Sequence, residues 1–287
     1  MELYEECKGC LYGSQMKKVE STQTDGAKLA QFKSRVKALC ENPPPHYCAP
    51  ILMRDINGLH REIFGADIDY TCEKSIFNSA LLAMEERLFA EIMRTPDPIS
   101  EALKFAMAAN YIDFARMSDL DEGAVDYVIS AARKANPDTA TVESFKEKLK
   151  AANSLCVLHD NCGEIVLDKI LIRVIKRLYP DIKATSVVRG KPIINDVTAY
   201  DAEEVGLYKY AVVLDNGTDV AGTYLKEVRP EVLKLLSTSD VILSKGLGNL
   251  ETLYGEGYKI FYAFNCKCKH ISERFNAPLF SATFIKE

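Results

Sequence analysis

A change of rhythm near residue 150 constrains the fold of this chain more than any other feature. From there on, short apolar, β-branched runs stand at 154–159, 184–188, 211–214, 241–243, 259–263 and 279–284. Helical patterns separate most of them, notably at 165–178 and 228–236. Strands that alternate with helices need crossover connections, and these build a mainly parallel sheet covered on both faces. The expected architecture is α/β: a three-layer α/β/α domain with a mainly parallel sheet.

Before residue 150 the pattern is helical. Leu29, Phe32, Val36 and Leu39 recur at three- and four-residue spacing, which marks one face of a helix over 26–40. Pro43, Pro44 and Pro45 stop it, because proline cannot continue a helix. The pattern returns over 76–93 and breaks at Thr95-Pro96-Asp97-Pro98. Ser100 can then cap a helix carrying Leu103, Ala106, Met107 and Tyr111. These breaks predict a helical N-terminal region over 1–98 and an α/β domain over 99–287.

Composition narrows the function. With 47% hydrophobic and 27% charged residues the 287-residue chain can bury a substantial core. A formal charge of -5 gives no broad basic footprint, which argues against nucleic acid as the principal partner. A small anionic substrate stays open, since a local metal or lysine outweighs the global balance. No apolar run approaches the roughly 20 residues needed to cross a bilayer, so no membrane partner is expected. Nine cysteines, an odd count, cannot all pair within one chain, and a reducing compartment, the cytoplasm, is the expectation.

Chemistry gathers where the runs end. The first ends in Asp160-Asn161-Cys162-Gly163-Glu164, the second in Arg189-Gly190-Lys191-Pro192 with Asn195-Asp196 close behind. The third ends in Asp215-Asn216-Gly217 and the fourth in Ser244-Lys245-Gly246-Leu247-Gly248-Asn249. Each alone reads better as a turn, because Asp, Asn and Gly bond their own backbone or accept positive φ. Four such ends on one rim of a parallel sheet favour a ligand crevice. Oxygen donors from Asp160, Asn161 and Asp196 suit a hard divalent cation. Lys245 offers a compact positive charge for a phosphate, and the helix opening at Gly163 offers backbone N–H groups. Together these predict phosphoryl transfer.

The same residues resemble the damage-control phosphatase family, formerly a domain of unknown function. Asp160 to Glu164 is similar to its Asp-Asn-Ala-Gly-Glu motif, with Cys162 where alanine is usual. Arg189 to Thr198 resembles its second motif, and Lys245 to Glu251 its Lys-Gly-x-Gly-Asn-x-Glu motif. Asn110-Tyr111-Ile112-Asp113 resembles an upstream Asn-x-x-Asp segment. The resemblance implies Asp160, Asn161 and Asp196 as metal ligands, with manganese, magnesium, nickel or cobalt as the ion. It implies Asn110, Asp113, Glu164, Asn195 and Lys245 as substrate-site residues. It further implies hydrolysis of damaged or misplaced phosphometabolites, such as sugar phosphates or purine nucleotides and their precursors. Cys7-Lys8-Gly9-Cys10 matches the Cys-x-x-Cys of the subfamily common in prokaryotes.

Other readings remain in play at this stage. Cys7/Cys10 with Cys266/Cys268 fits either a cysteine-held metal, and so a non-enzymatic metal protein, or plain packing, because the second pair is Cys-x-Cys. An acidic strand end followed by glycine also suits a nucleotide-cofactor methyltransferase, although the first strand lacks a Gly-x-Gly loop. An aspartyl-nucleophile phosphatase needs Asp-x-Asp, which Asp160-Asn161-Cys162 does not supply. No His-Glu-x-x-His spacing is present among His46, His60, His159 and His270. Alternation along the first strand points His159 away from Asp160.

Overall fold

The computed structural model describes residues 1–108 and 129–287. Six strands form one sheet in the order β3-β2-β1-β4-β5-β6: β1 Ser154–Leu158, β2 Lys183–Val188, β3 Val212–Asp215, β4 Val241–Lys245, β5 Phe261–Asn265 and β6 Ala282–Lys286. All neighbours run parallel except β5 and β6. The β-branched runs were long enough for strands and too short for helices, and each of the six became a strand. The last begins three residues later than its apolar pattern suggests and turns back antiparallel against β5.

Chain order reverses at β1. The connections from β1 lead outward to β2 and β3, whereas β4 returns to pair with β1 on the other side. The carboxyl ends of β1 and β4 therefore diverge into a crevice, the place where doubly wound sheets bind ligands.

Helices cover both faces. On one face α6 (Pro98–Ala108), α7 (Thr139–Ala151), α8 (Glu164–Leu178) and the short α9 (Ala199–Glu204) pack Phe105, Phe145, Ile165, Ile170 and Ala202 into one core with Leu155, Val157 and Leu243. Phe77, Leu81, Leu88 and Ile92, from α4 (Thr71–Leu82) and α5 (Glu85–Met93), belong to the same core. On the other face α10 (Pro230–Thr238), α11 (Gly246–Leu253) and α12 (Lys269–Phe275) bring Val232, Leu250 and Ile271 onto Cys156, Leu158 and Ile242. A separate core joins α1 (Glu5–Thr22), α2 (Gly26–Glu41) and α3 (Ala49–Phe64) through Val19, Phe32, Val36, Leu52 and Ile56.

The helical reading of the first third holds, with two changes. The pattern over 76–93 is two helices, because the chain breaks between Leu82 and Glu85. The helices α1 and α3 flank the predicted one on both sides. Among the described residues no helix is long and apolar enough to cross a membrane.

Candidate active site

Two segments far apart in sequence build the floor of the crevice, and backbone bonds lock them together. Val197 N–H donates to Asp160 O (2.9 Å), Cys162 N–H to Asn195 O (2.9 Å) and Arg189 N–H to Val197 O (2.8 Å). A further bridge pairs Asn161 with Asp196. The loop after β2 is thus laid against the loop after β1, which brings the three predicted ligands Asp160, Asn161 and Asp196 to one place.

Asp160 is only 9% exposed and Asp196 3%. Asn161 Nδ2 donates to Asp160 Oδ2 (2.8 Å) and to Glu164 Oε1 (2.9 Å), so its carbonyl oxygen is what it has left to offer a cation. Burial pushes the Asp160 carboxyl up to about 8, and the charges of Asp196 and Glu164 add to the rise. Asp196 is likewise raised by burial, against the pull of Arg189.

The cations sit below and beside these carboxylates. Arg189 Nε donates to Asp196 Oδ2 at 2.6 Å. Its Nη2 lies 3.6 Å from Asp160 Oδ1 and has no hydrogen-bond acceptor among the described residues. Lys245, fully buried at the end of β4, donates to Asp168 Oδ1 (2.7 Å) and Glu164 Oε2 (3.3 Å). Burial lowers its affinity for a proton, but Asp168 and Glu164 outweigh that and raise it, so the ammonium stays charged. Burial alone would also raise Asp168; Lys245 and His159 hold it below the usual carboxylate range instead.

Backbone shape completes the crevice. Gly246 takes φ 79°, and a Cβ there would stand 1.9 Å from Asp160 Oδ2. The carboxylate of Asp160 therefore rests directly on the first turn of α11, space that only glycine leaves free. Asn249, one turn further, donates to His159 O (3.0 Å) and Lys245 O (2.8 Å) and so ties α11 to the end of β1.

Several contributors went unmarked in the sequence reading. Asn249 stood without a role inside the Lys245 motif, and Asp168 follows Glu164 by four residues on α8, the spacing that stacks side chains on one helix face. That spacing was the available signal. Arg189 stood inside a recognised motif as the polar end of an apolar run. His159 Nδ1 lies 2.9 Å from Asp168 Oδ2, the carboxylate that also holds Lys245. Asn195 enters through its carbonyl oxygen. Cys162 turns into the apolar core, where burial raises its thiol far above the normal range and keeps it unreactive. Asn110 and Asp113 lie outside the described residues.

Beside the Asp196 loop is a cleft of about 410 Å³, lined by Arg54, Arg61, Lys74, Ile193, Ile194 and Tyr200. A larger cavity of about 630 Å³ lies between 130–138 and 275–285 and touches none of the site residues named above.

Sheet order and crevice together define a doubly wound α/β protein with a buried, carboxylate-rich site at its switch point. The chain belongs to the family of the damage-control phosphatase ARMT1-like domain, whose model matches residues 3–282. It is 32% identical over 206 residues to an uncharacterized protein, MJ0202, of Methanocaldococcus jannaschii, covering 68% of this chain and 66% of that one. It is 33% identical over 186 residues to damage-control phosphatase PH1575 of Pyrococcus horikoshii, covering 62% of this chain and 61% of the relative. Both matches thus span just under two thirds of those relatives. A damage-control phosphatase of Archaeoglobus fulgidus is 27% identical over 274 residues, 93% of this chain and 92% of the relative. The crystal structure of a DUF89 family protein (PH1575) from Pyrococcus horikoshii superposes with a TM-score of 0.85 at 24% identity, covering 100% and 99% of the two chains, and so shares the fold.

Proposed function

We propose that this protein is a metal-dependent phosphatase acting on small phosphorylated metabolites, damaged or misplaced ones such as sugar phosphates or purine nucleotides and their precursors. The observation that carries this reading is the charge of the buried network. The carboxylates Asp160, Glu164, Asp168 and Asp196 face two cations, Arg189 and Lys245, within one set of contacts. Among these described side chains carboxylates outnumber cations, a setting that suits a divalent ion. The names of two relatives, damage-control phosphatases, support the same activity.

The donor set fits such an ion. Among the described residues no three His, Cys, Asp or Glu side chains enclose one point. A site of two carboxylates and an amide oxygen does not require that, and it leaves positions for water and substrate. Asp160, Asn161 and Asp196 would hold manganese, magnesium, nickel or cobalt. When bound, the ion polarises a phosphoryl oxygen and lowers the pKa of water.

The chain's own residues do the rest. Arg189 Nη2, a buried donor without an acceptor among the described residues, is available to a phosphate oxygen and stabilises charge there as it grows. Lys245 sets the potential of the floor, and Asp168 and Glu164 hold it in register. The Arg54–Tyr200 cleft takes the organic part of the substrate. Asp160 is wedged against Gly246 and Asp196 is bonded to Arg189, so neither is presented as a nucleophile. Water attacks phosphorus directly, with no phosphoenzyme.

The test is a phosphate-release screen over phosphosugars, nucleotides and their damaged forms, on metal-stripped protein resupplied with each ion. Activity is expected to depend on added metal and to fall by ~10² or more in Asp160→Ala and Asp196→Ala, as for the loss of comparable electrostatic groups. Activity that survives chelation, or full activity in either variant, overturns the metal reading. A trapped phosphoaspartate overturns direct attack by water.

A further inference from the structure

A second cluster of ligating side chains lies outside this site, where the two ends of the chain meet. His270, in the first turn of α12, has its Nε2 3.9 Å from Cys7 Sγ on α1 and 3.8 Å from Cys268 Sγ. Two thiols from positions 261 residues apart in sequence thus share one imidazole nitrogen. The ring is fixed: Tyr4 stacks on it at 4.1 Å between centroids and 21° between planes. Its other nitrogen, Nδ1, is buried with no hydrogen-bond partner among the described residues, and the nearest carboxylate oxygen, Glu6 Oε2, stands 3.8 Å away. Cys10 stands one helical turn after Cys7, on the same face of α1.

We propose that Cys7, Cys10, Cys268 and His270 form a binding site for a thiophilic divalent ion of the zinc class. Three sulfurs and one nitrogen are a closed, tetrahedral zinc donor set, unlike the all-oxygen set at Asp160. With metal–sulfur bonds of about 2.3 Å and metal–nitrogen bonds of about 2.0–2.1 Å, the sulfur-to-nitrogen edge of such a tetrahedron is about 3.6 Å. The observed separations of 3.8 and 3.9 Å are within a few tenths of an ångström of that edge. Among the described residues no three ligating side chains already enclose an ion-sized point, so the cluster closes by small rotations of the thiols. All four cysteines at the two ends, Cys7, Cys10, Cys266 and Cys268, are free thiols. Cys266 is buried and its Sγ donates to backbone carbonyls, which sets it apart from the cluster.

A bound ion displaces the thiol protons and takes the resulting negative charge. Its role is structural. The core of α1, α2 and α3 is separate from the two cores of the sheet, and a metal bridging α1 to α12 closes a loop between Cys7 and His270, 263 positions apart.

The experiment uses the full-length, reduced, metal-stripped protein titrated with cobalt(II), then with zinc as competitor. One equivalent is expected to show intense thiolate-to-cobalt charge transfer and tetrahedral visible bands, and zinc should bleach both. The signal should persist in Asp160→Ala and in Cys72→Ser, which alters an exposed cysteine elsewhere. It should vanish in the Cys7→Ser/Cys268→Ser double variant, and Cys10→Ser should weaken zinc by at least about tenfold. Reduced wild-type protein without charge transfer overturns the proposal, whether or not the double variant folds. Bands that survive in a folded double variant overturn it as well. No ligand is shared with the phosphatase site, so either reading can fail alone.

Discussion

Lys245 shows how far the physics of one side chain departs from its motif. A lysine before Gly-x-Gly reads as an exposed charge on a turn, ready for phosphate. In the structure its ammonium has no solvent exposure and is committed to Asp168 and Glu164. Removing one partner of a buried ion pair strands the other, and costs about 3–5 kcal/mol. Lys245→Ala is therefore expected to lower stability by about that much and kcat/KM by ~10² or more. Lys245→Arg should recover little of either, because a planar fork does not fit a pocket shaped for a point charge. Thermal denaturation with and without metal, alongside kinetics, separates the two effects. A variant with wild-type melting and wild-type kcat/KM would return Lys245 to an ordinary turn. The candidate ligands Asp160, Asn161 and Asp196 were legible because they end apolar runs. Asp168 and His159 were not, since a buried carboxylate inside a helix and a histidine at the end of a strand look like routine core and surface positions until the network joins them.

At the level of elements, the six strands were legible because each is a β-branched run bounded by turn residues, and pattern alone sets strand length. The helix break between Leu82 and Glu85 was not, because it has neither proline nor glycine to mark it. The glycine that opens α11 and the one two residues past its end carry information of another kind. Gly246 and Gly255 both adopt positive φ, 79° and 89°, yet a Cβ at Gly255 meets nothing within 4 Å, whereas one at Gly246 strikes Asp160. The two substitutions to alanine thus share a backbone cost of about 1–3 kcal/mol and differ only in that collision. Gly255→Ala is expected to lose stability alone. Gly246→Ala is expected to lose more, and to lose divalent-ion affinity as well, because Asp160 must leave its seat. Calorimetric metal titration of both variants decides it; equal metal affinities would show that the Asp160 seat on α11 does not matter.

On the scale of the whole molecule, three cores are joined unequally. The two faces of the sheet share every strand, and α4 is bound to that body by Lys74–Asp201 (2.6 Å), Asn78–Glu204 (2.6 Å) and Gly163 N–H to Asn78 Oδ1 (2.7 Å). These bonds run straight to the loops that carry Asp160 and Asp196. The core of α1, α2 and α3 is held to the body by fewer buried groups, among them a small cluster of Cys48, Ile51 and Val220 and the partly exposed Arg54–Glu227 pair at 2.6 Å. Exposed pairs of this kind contribute about 1 kcal/mol or less. Local opening follows such inequalities, since segments with fewer buried contacts open at lower free energy than the global transition. Amides of α1 and α2 are therefore expected to exchange with solvent at least about tenfold faster than those of β1 and β4, a difference of ~1.4 kcal/mol in opening free energy. Hydrogen-exchange mass spectrometry of the reduced, metal-stripped protein measures it directly. Adding zinc should then slow α1 while leaving β1 and β4 unchanged, because the proposed ligands tie α1 to α12 and touch neither strand. Equal protection of α1, α2, β1 and β4 before zinc would show that the three cores open as one unit, with the helical layer as firmly part of the body as the sheet.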